Sequence, residues 1–343
     1  MSSAGVGCGE RLDAFMGRAN ALYYATRDPF ADFVTAPEVS QIFGELLGAW
    51  CAVVMDTLGP DVRLVEVGPG RGTLMADMLR VLARVAPSRL GGLSVHLVET
   101  SPRLRTAQEQ ALAQFDVRVQ WHDALGDVPE EPILLVGNEF LDALPIRQFV
   151  RTETGWLERY VRDGQWALQA CPDVPLDVTE RNAAPGEVIE TCPAGQAFMR
   201  ELGRRVSEAP GAALLIDYGT SRSCVGESLQ ALCQGQPVSA LVEPGTADLT
   251  AHVDFASMAH AAVEAGAVCD GPVEQGAFLI ALGAIQRADA LCKVAPAQAG
   301  SVRAGLDRLI GPERMGRLFK VLGVRSPHGP PLPGFPQEHG EKT

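Results

Sequence analysis

The sequence predicts an α/β fold with a Rossmann-like parallel sheet. Short apolar runs, each long enough for a buried strand, alternate with segments whose apolar residues recur at helical spacing. The predicted strands cover residues 64–67, 93–98, 117–121 and 133–137, and a further strand follows at 213–217. Strand and helix in regular alternation are typical of a parallel sheet with helices on both faces.

Two segments depart from this alternation. The N-terminal part is predicted to be helical, because Thr35 and Glu38 match a capping box and apolar residues at helical spacing follow them. A later segment is β-rich with glycine turns and is predicted to be an insertion. The predicted division is into an N-terminal helical extension or lid (1–60), a sheet domain (61–145 and 211–325), an inserted β-rich substrate region (146–210) and a disordered or loosely docked tail (326–343).

Composition excludes several classes of protein. The chain has 343 residues, of which 46% are hydrophobic, so it can bury a large core, and it has no run of about 18 uncharged apolar residues that would predict a membrane span. A formal net charge of −13 argues against nucleic acid as the main partner. An acidic surface suits a basic substrate; the alternative is that the acidic residues only keep the protein soluble. The eight cysteines form no C-x-x-C pair, and the N-terminal residues resemble neither a secretory leader nor a presequence, so a cytoplasmic protein is expected.

A glycine-rich turn follows the first predicted strand. Gly68, Gly70 and Gly72 let the backbone approach a ligand, and the helix that follows offers free N–H groups. The spacing is G-x-G-x-G rather than the G-x-G-x-x-G of dinucleotide sites, and Glu66 lies two positions before the first glycine. Both details favour S-adenosylmethionine, which carries sulfonium and amino charges, over a pyrophosphate; the alternative is a tight turn without a ligand.

Polar side chains follow each of the next three predicted strands. A carboxylate at Glu99 can accept both hydroxyls of a ribose, and Asp123 lies where a carboxylate reads an adenine amine. Asn138, Glu139 and Asp142 come after the fourth strand, and the two acids would share one face if this segment were helical. Such a pair can hold a guanidinium in a fork. The alternatives are an acid at a helix N-terminus, a turn aspartate, and an asparagine cap with solvated acids.

His252, two residues before Asp254, is a further candidate for catalysis. A lone histidine is more often structural, and no third ligand with suitable spacing accompanies it, so no metal site is predicted.

The chain resembles the MidA-like SAM-dependent methyltransferases, whose mitochondrial members are protein arginine methyltransferases needed for respiratory complex I assembly. The resemblance spans nearly the whole chain in the family's order, on residues 23–24, 27–28, 32–45, 65–74, 96–99, 138–145, 216–219, 244–255 and 311–316. It implies a class I methyltransferase sheet with S-adenosylmethionine as cofactor. Taken together, the expected cofactor-binding residues are Thr35, Glu66, Gly68, Gly70, Gly72, Glu99, Asp123 and Asn138, and the expected catalytic residues are Glu139, Asp142 and His252.

The expected reaction is in-line transfer of a methyl group to a nucleophilic nitrogen, which the resemblance identifies as an arginine guanidinium of a complex I subunit or its bacterial counterpart. Proximity and alignment would supply most of the catalysis. Two other functions stay open at this stage: an O- or N-methyltransferase of small molecules, and a non-catalytic assembly factor that binds the cofactor for stability. A homodimer is left open as well.

Overall fold

The computed structural model describes residues 9–27 and 35–336. Its strands, in chain order, are β1 (Glu10–Arg11), β2 (Arg63–Val67), β3 (Ser94–Val98), β4 (Arg118–His122), β5 (Ile133–Asn138), β6 (Arg147–Thr152), β7 (Gly155–Arg162), β8 (Gln165–Ala170), β9 (Val188–Thr191), β10 (Gly211–Thr220), β11 (Gln230–Cys233), β12 (Gln236–Val238), β13 (Asp248–Thr250), β14 (Val253–Asp254), β15 (Val268–Glu274) and β16 (Phe319–Arg325). Its α-helices are α1 (Leu12–Thr26), α2 (Ala36–Val39), α3 (Gln41–Leu58), α4 (Thr73–Val85), α5 (Pro87–Leu90), α6 (Pro102–Leu112), α7 (Leu176–Thr179), α8 (Pro193–Glu208), α9 (Phe255–Glu264), α10 (Gln275–Ala281), α11 (Ala284–Val294), α12 (Ala299–Ile310) and α13 (Met315–Leu318).

The chain divides into two compact units. We call the larger one the sheet unit; it comprises Val34–Leu141, Gln196–Arg222 and Phe255–Thr343. The other, the insert unit, comprises Met1–Phe33, Asp142–Gly195 and Ser223–Asp254. The domain boundaries expected from the sequence stay a prediction.

The sheet unit is built on strands in the order β15-β16-β10-β5-β2-β3-β4. The strands from β10 to β4 are parallel, and β16 and β15 continue the sheet in antiparallel pairing. Residues of the five inner strands are mostly buried, as expected for runs covered on both faces, whereas the edge strands β4 and β15 have no buried residue. The predicted α/β fold with a Rossmann-like parallel sheet is confirmed.

Helix α3 supplies much of the core of the sheet unit. Its Phe43, Leu47 and Trp50 are at most 2% exposed and belong to one apolar cluster with α4 and β2. Among the described residues, α3 is the one helix long and apolar enough to cross a membrane by length and composition, and 56% of it is buried inside the protein. The apolar residues of α3 therefore pack in the core of the sheet unit.

The predicted helix start at Thr35 differs from the structure in two respects. Thr35 is the N-cap of α2, but its side chain makes no capping hydrogen bond. Glu38 does not complete a capping box, since its Oε1 accepts from Thr73 Oγ1 at 2.9 Å. The helix is also interrupted at Ser40, whose extended backbone and hydroxyl cap α3 by accepting from Ile42 N. Serine favours such a cap because it offers a local acceptor to the backbone.

The prediction that the C-terminal tail is disordered or loosely docked is wrong for its part up to residue 336. Leu332 and Phe335 are buried in the core cluster of the sheet unit. Trp50 Nε1 donates to Pro333 O at 3.1 Å, and Leu332 N donates to Asp270 Oδ2 at 3.1 Å. Two apolar side chains and two hydrogen bonds thus outweigh the loop-like composition. Residues 337–343, and the resemblance at residues 28–34, lie outside the described residues.

The insert unit contains two antiparallel sheets. One has the order β1-β7-β6-β9 with β8 also paired to β7, and the other has the order β12-β11-β13. Leu12, Phe15 and Met16 of α1 pack in one apolar cluster with Leu249 of β13 and Val161 of β7. The predicted β-rich character is confirmed for strands β6 to β9, whereas residues 193–208 of the predicted region form helix α8.

Two histidines of adjacent strands stack inside the sheet unit. The rings of His96 and His122 are 5.1 Å apart between centroids, and His96 Nδ1 lies 2.9 Å from His122 Nε2. Ser94 Oγ lies 2.9 Å from the other ring nitrogen of His96. Burial, followed by the positive charge on protonated His122 and by Arg63 and Arg118, lowers the pKa of His96 from 6.5 to about 4.

We expect this pair to make the protein less stable in mild acid. A histidine whose pKa is lower in the folded state takes up its proton first in the unfolded state, so stability is lost as the pH falls from 6.5 towards 4. His96→Asn should reduce the loss between pH 7 and pH 5 by about 2 kcal/mol, measured by urea unfolding at both pH values. The control is His260→Gln, whose side chain is 74% exposed; an equal pH dependence in all three proteins would contradict the assignment.

Candidate active site

The glycine turn joins β2 to α4 in the sheet unit. Gly68, Gly70 and Gly72 have φ angles of 62°, 53° and 82°, in the left-handed region that other residues adopt at a cost. A Cβ at Gly68 would also lie 3.1 Å from the ring of Phe140. The turn therefore requires glycine, and it ends at the N-terminus of a 13-residue helix, where backbone N–H groups have no partner within the helix.

Glu66 is buried inside strand β2, before this turn. It is 2% exposed, and its Oε2 has no hydrogen-bond partner among the described residues. Burial raises the pKa of its carboxyl from 4.5 to about 8. A buried acid with an orphaned oxygen fits a cationic ligand, because the ligand would supply the charge and the donor that the protein itself does not.

Glu99 follows strand β3 and is held in a fixed orientation. One carboxylate oxygen accepts from Ser101 N at 2.8 Å and the other from Gln108 Nε2 at 3.3 Å. Burial raises the pKa of this carboxyl, and these hydrogen bonds partly offset the rise. Ser101 also caps α6, since its Oγ accepts from Leu104 N. The donors Ser101 N and Gln108 Nε2 therefore fix the orientation of the Glu99 carboxylate. Its remaining acceptor positions suit the hydroxyl groups of a ligand.

Gln108 is a positioning residue that the sequence analysis missed. It is fully buried, and its Nε2 donates to Gly70 O at 2.7 Å as well as to Glu99. Its Oε1 accepts from Trp121 Nε1 at 2.9 Å. Gln108 thus links the glycine turn to Glu99 through two hydrogen bonds. A signal was present, because Gln108 occupies the middle of an i, i+4, i+8 stripe whose other members, Leu104 and Leu112, are buried.

Asp123 directly follows β4 and is largely exposed. Its side chain is 79% exposed and pairs with Arg105 at 2.6 Å. Arg105 Nε also donates to the backbone carbonyl of Glu99 at 2.8 Å. The structure therefore connects Asp123 to Glu99 through one arginine.

Asn138 is the last residue of β5, and Glu139 directly follows it. Asn138 is 8% exposed, and its Oδ1 has no partner among the described residues. Glu139 adopts a left-handed φ of 52°, which is unusual for a residue with a side chain. Its Oε1 accepts from Asn138 Nδ2 and from Ala36 N, both at 3.0 Å. This contact brings α2, with Thr35 at its N-cap, next to Glu139.

Asp217 of β10 holds this segment in place and was not among the candidate residues. It is 1% exposed, and its Oδ2 accepts from Phe140 N at 3.1 Å and from Leu141 N at 2.9 Å. Its Oδ1 accepts from Tyr218 N. These bonds satisfy the backbone groups that the turn at Glu139 would otherwise leave unpaired. The available signal was an acidic residue at the end of the apolar run 213–216.

The helix that would place Glu139 and Asp142 on one face does not form. Residues 139–146 are turns and irregular backbone. Glu139 belongs to the sheet unit and Asp142 to the insert unit. Asp142 is 7% exposed, and its carbonyl accepts from Ala251 N at 3.0 Å. The condition for a shared helical face is thus not met, because backbone groups of this segment form hydrogen bonds with Asp217 and Ala251 instead.

His252 lies between β13 and β14 in the insert unit. Its side chain is exposed, and its backbone N–H donates to Ser228 Oγ at 2.9 Å. Asp254 pairs with Arg181 at 3.1 Å. Residues 9–27 and 35–336 contain no group of three or more His, Cys, Asp or Glu that could hold a metal. The catalytic role of His252 stays a prediction.

Together, the sheet-unit residues fit S-adenosylmethionine. Glu66 supplies a buried acid for its positive charge, the glycine turn leaves room for close backbone approach, and Glu99 offers an oriented carboxylate for the ribose hydroxyls. These features lie at the carboxyl ends of consecutive parallel strands, where open α/β sheets bind ligands.

Comparisons with known proteins agree with this arrangement. Residues 46–273 match a family model described as S-adenosyl-L-methionine-dependent methyltransferase. The protein arginine methyltransferase NDUFAF7 of Mus musculus is 36% identical over 338 residues (88% of this chain and 77% of the relative), and that of Homo sapiens is 33% identical over 337 residues (88% and 76%). A COG1565 superfamily member from Burkholderia thailandensis, bound to S-adenosyl-homocysteine, has a TM-score of 0.80 at 28% identity and covers 97% of this chain and 90% of its own. The chain therefore belongs to the S-adenosyl-L-methionine-dependent methyltransferase family, as an enzyme with S-adenosylmethionine as its cofactor.

Proposed function

We propose that this methyltransferase transfers the methyl group to an arginine guanidinium of a protein. The observation that carries the proposal is the fixed carboxylate of Glu139 at the carboxyl end of β5, held in a left-handed turn by the neighbouring strand. The relatives named protein arginine methyltransferase, at 33–36% identity over 88% of the chain, support the same acceptor. As the resemblance implies, the protein substrate would be a complex I subunit or its bacterial counterpart. The cytoplasmic location and the homodimer stay predictions.

Each candidate residue of the sheet unit has a proposed task. Glu66 would balance the positive charge of the cofactor, and Glu99 would accept its ribose hydroxyls. Asp123 would face the adenine amine, and Asn138 and Thr35 would contribute polar contacts. When bound, the cofactor supplies an electrophilic methyl group; no step requires a metal.

Glu139 would act on the acceptor. A guanidinium has a pKa above about 12 and is charged when it binds, so a carboxylate both attracts it and fixes its plane. The nitrogen turned towards the methyl group then needs little further reorganisation, and the gain comes from alignment. Asp142, the second acid of the predicted fork, belongs to the insert unit.

Labelled S-adenosylmethionine tests the proposal directly. The protein is incubated with a lysate from cells that lack it, and the labelled products are identified by mass spectrometry. Methylarginine in a protein supports the proposal, whereas a labelled small molecule or tight cofactor binding without any product would favour one of the alternative functions. Gly70→Val is the control without cofactor, since Gly70 has a φ of 53° that a branched residue does not adopt.

Cofactor binding should release a proton from Glu66. Its carboxyl, with a pKa of about 8, is mostly neutral at pH 7, and a bound cation favours the ionised form. We therefore expect about one proton released per cofactor at pH 7 and an affinity that rises as the pH increases towards 8. Calorimetry in buffers of different ionisation enthalpy measures this. Glu66→Gln should lose the release, while the exposed control Glu109→Gln should keep it; equal release in both variants would contradict the role of Glu66.

Glu99 should contribute strongly to affinity. Glu99→Ala should weaken binding of S-adenosylmethionine by about 1.5–3 kcal/mol, the usual scale for hydrogen bonds to a charged group. Gln108→Leu should weaken it as well, because Gln108 orients Glu99 and the glycine turn. Titration calorimetry gives both values. An affinity within about twofold of wild type in Glu99→Ala would leave this residue with a structural role only.

Glu139→Gln should separate binding from transfer. It removes a charge from the acceptor side, so we expect cofactor affinity to be retained and single-turnover transfer to fall by about 100-fold through loss of alignment. Asp142→Asn tests the second acid of the predicted fork in the same assay. The matched control is Glu264→Gln, an exposed acid on α9. Wild-type turnover in both Glu139→Gln and Asp142→Asn would refute an acidic hold on the acceptor.

A further inference from the structure

Strand β8 forms an unprotected edge of the five-stranded sheet in the insert unit. It pairs along its whole length with β7 in one continuous antiparallel register. Among the described residues it has no strand on its other side, so one row of its backbone N–H and C=O groups lacks a strand partner. Its sequence contains neither a charged residue nor a proline, and its side chains Trp166 and Leu168 are 40% and 48% exposed. Such an edge is a template for a further strand.

The other edge strands of the described sheets differ from β8 in this respect. Short length, charged side chains and prolines are the usual protection of an exposed edge. Strands β1 and β14 are only two residues long, β12 contains Pro237, and β4, β9, β13 and β15 contain Arg118, Glu190, Asp248 and Asp270. The absence of any such feature in β8 indicates an edge that is used for pairing.

The sequence of β8 is self-complementary about Ala167. In either direction from this residue, a large apolar side chain comes first, Trp166 or Leu168, and a glutamine follows, Gln165 or Gln169. When two copies of β8 pair antiparallel with Ala167 at the centre, Trp166 lies opposite Leu168 of the second copy, and Gln165 lies opposite Gln169. Apolar side chains then meet on one face and amides on the other, because side chains alternate along a strand.

The Trp166 ring is already supported by its neighbour on β7. Arg159, which is opposite Leu168 in the register, places its Cζ 5.1 Å from the centroid of the Trp166 ring. The Arg159 guanidinium is itself fixed, since it donates to Glu227 Oε1 at 2.9 Å and to Gln148 Oε1 at 2.7 Å. A supported ring loses little conformational entropy when a second strand packs against it, which favours association.

Charge favours a second copy of this chain over a basic segment of another protein as the occupant of the edge. Each copy carries a formal net charge of −13, so two copies repel each other wherever their charged surfaces meet. The uncharged strand β8 is a place where two acidic copies can approach. A basic segment would find no opposite charge on this strand and would gain no electrostatic attraction from it.

We propose that two copies of this chain associate through β8, related by a two-fold axis beside Ala167. The two five-stranded sheets then form one continuous sheet, and both exposed edges are removed. One pair of short strands buries less than the about 1,600 Å² of a standard interface, so the dimer is reversible, with a dissociation constant in the micromolar range. The pairing does not depend on the proposed function.

Sedimentation equilibrium of the full-length protein tests the association. We expect a monomer–dimer equilibrium that strengthens when salt is added at low ionic strength, because salt screens the repulsion between acidic copies. Leu168→Glu should weaken the dimer by about tenfold or more, since it places a carboxylate against apolar side chains twice in each dimer. The matched control is Leu176→Glu, which changes a 76% exposed leucine of the same unit outside β8.

Cysteine cross-linking tests the register with a substitution that preserves the strand. Ala167 faces its own copy in the proposed pairing, so Ala167→Cys should form an intermolecular disulfide under mild oxidation with copper phenanthroline. Peptide mapping by mass spectrometry identifies the link between the two positions 167. Ala170→Cys is the control on the same strand, because in this register position 170 lies about 20 Å from position 170 of the second copy.

Retained binding of S-adenosylmethionine shows that each variant is folded. A dimer that Leu168→Glu weakens and Leu176→Glu leaves unchanged, together with the disulfide in Ala167→Cys, supports β8 as the interface whether or not the protein methylates arginine. A dimer that Leu168→Glu leaves intact, or equal cross-linking at positions 167 and 170, would overturn the proposal. So would a monomer at every concentration and salt tested, and slow hydrogen exchange of the β8 amides in that monomer would identify another segment of the chain as the occupant.

Discussion

The parallel register of β2 between β3 and β5 is the constraint on which the cofactor site depends. Val67 is opposite Val98 on one side and Gly137 on the other. The three strands therefore end at the same level, and the residues that follow them meet at one edge of the sheet. Gly137 is required for this pairing, since a Cβ there would lie 2.7 Å from Val67 Cγ2 and 2.9 Å from Leu215 Cδ2. The arrangement is therefore fixed by backbone pairing before any ligand binds.

This edge also explains how the fold tolerates an acid in its interior. Glu66 is enclosed within the sheet unit without a partner for one oxygen, and an ionised carboxylate in that position would be strongly unfavourable. With a pKa of about 8, the free protein carries the group in its neutral form near pH 7. A bound cationic ligand favours the ionised carboxylate instead. Glu66 therefore becomes negatively charged only when a positive charge is present to balance it. A pyrophosphate would gain no such charge balance, because the neutral carboxyl offers it at most one O–H donor and the ionised form would repel it.

The sequence predicted the features that depend on local pattern. The parallel strands follow from buried apolar runs, and the positions of Glu99 and Asn138 follow from the rule that polar residues after parallel strands meet at one edge. Features that depend on distant partners were missed. Glu38 bonds to Thr73 in place of a capping box, and the turn at Glu139 depends on Asp217, which is 76 or 77 positions away from the backbone groups it holds. The prediction for the C-terminal tail was wrong for the same reason. Its composition does not show that Leu332 and Phe335 pack into the core of the sheet unit.

The sheet unit and the insert unit depend on the sequence in different ways. The candidate cofactor residues lie at the ends of consecutive strands, so a short stretch of sequence determines them and the register of the sheet sets their positions. In the insert unit, by contrast, the hydrogen bond between Tyr24 and Asp248 joins residues that are 224 positions apart. Because that unit has its own apolar cluster and its own sheets, its polar residues can change without altering the register of β2. The cofactor edge of the sheet unit and the polar residues of the insert unit are therefore independent constraints on the sequence.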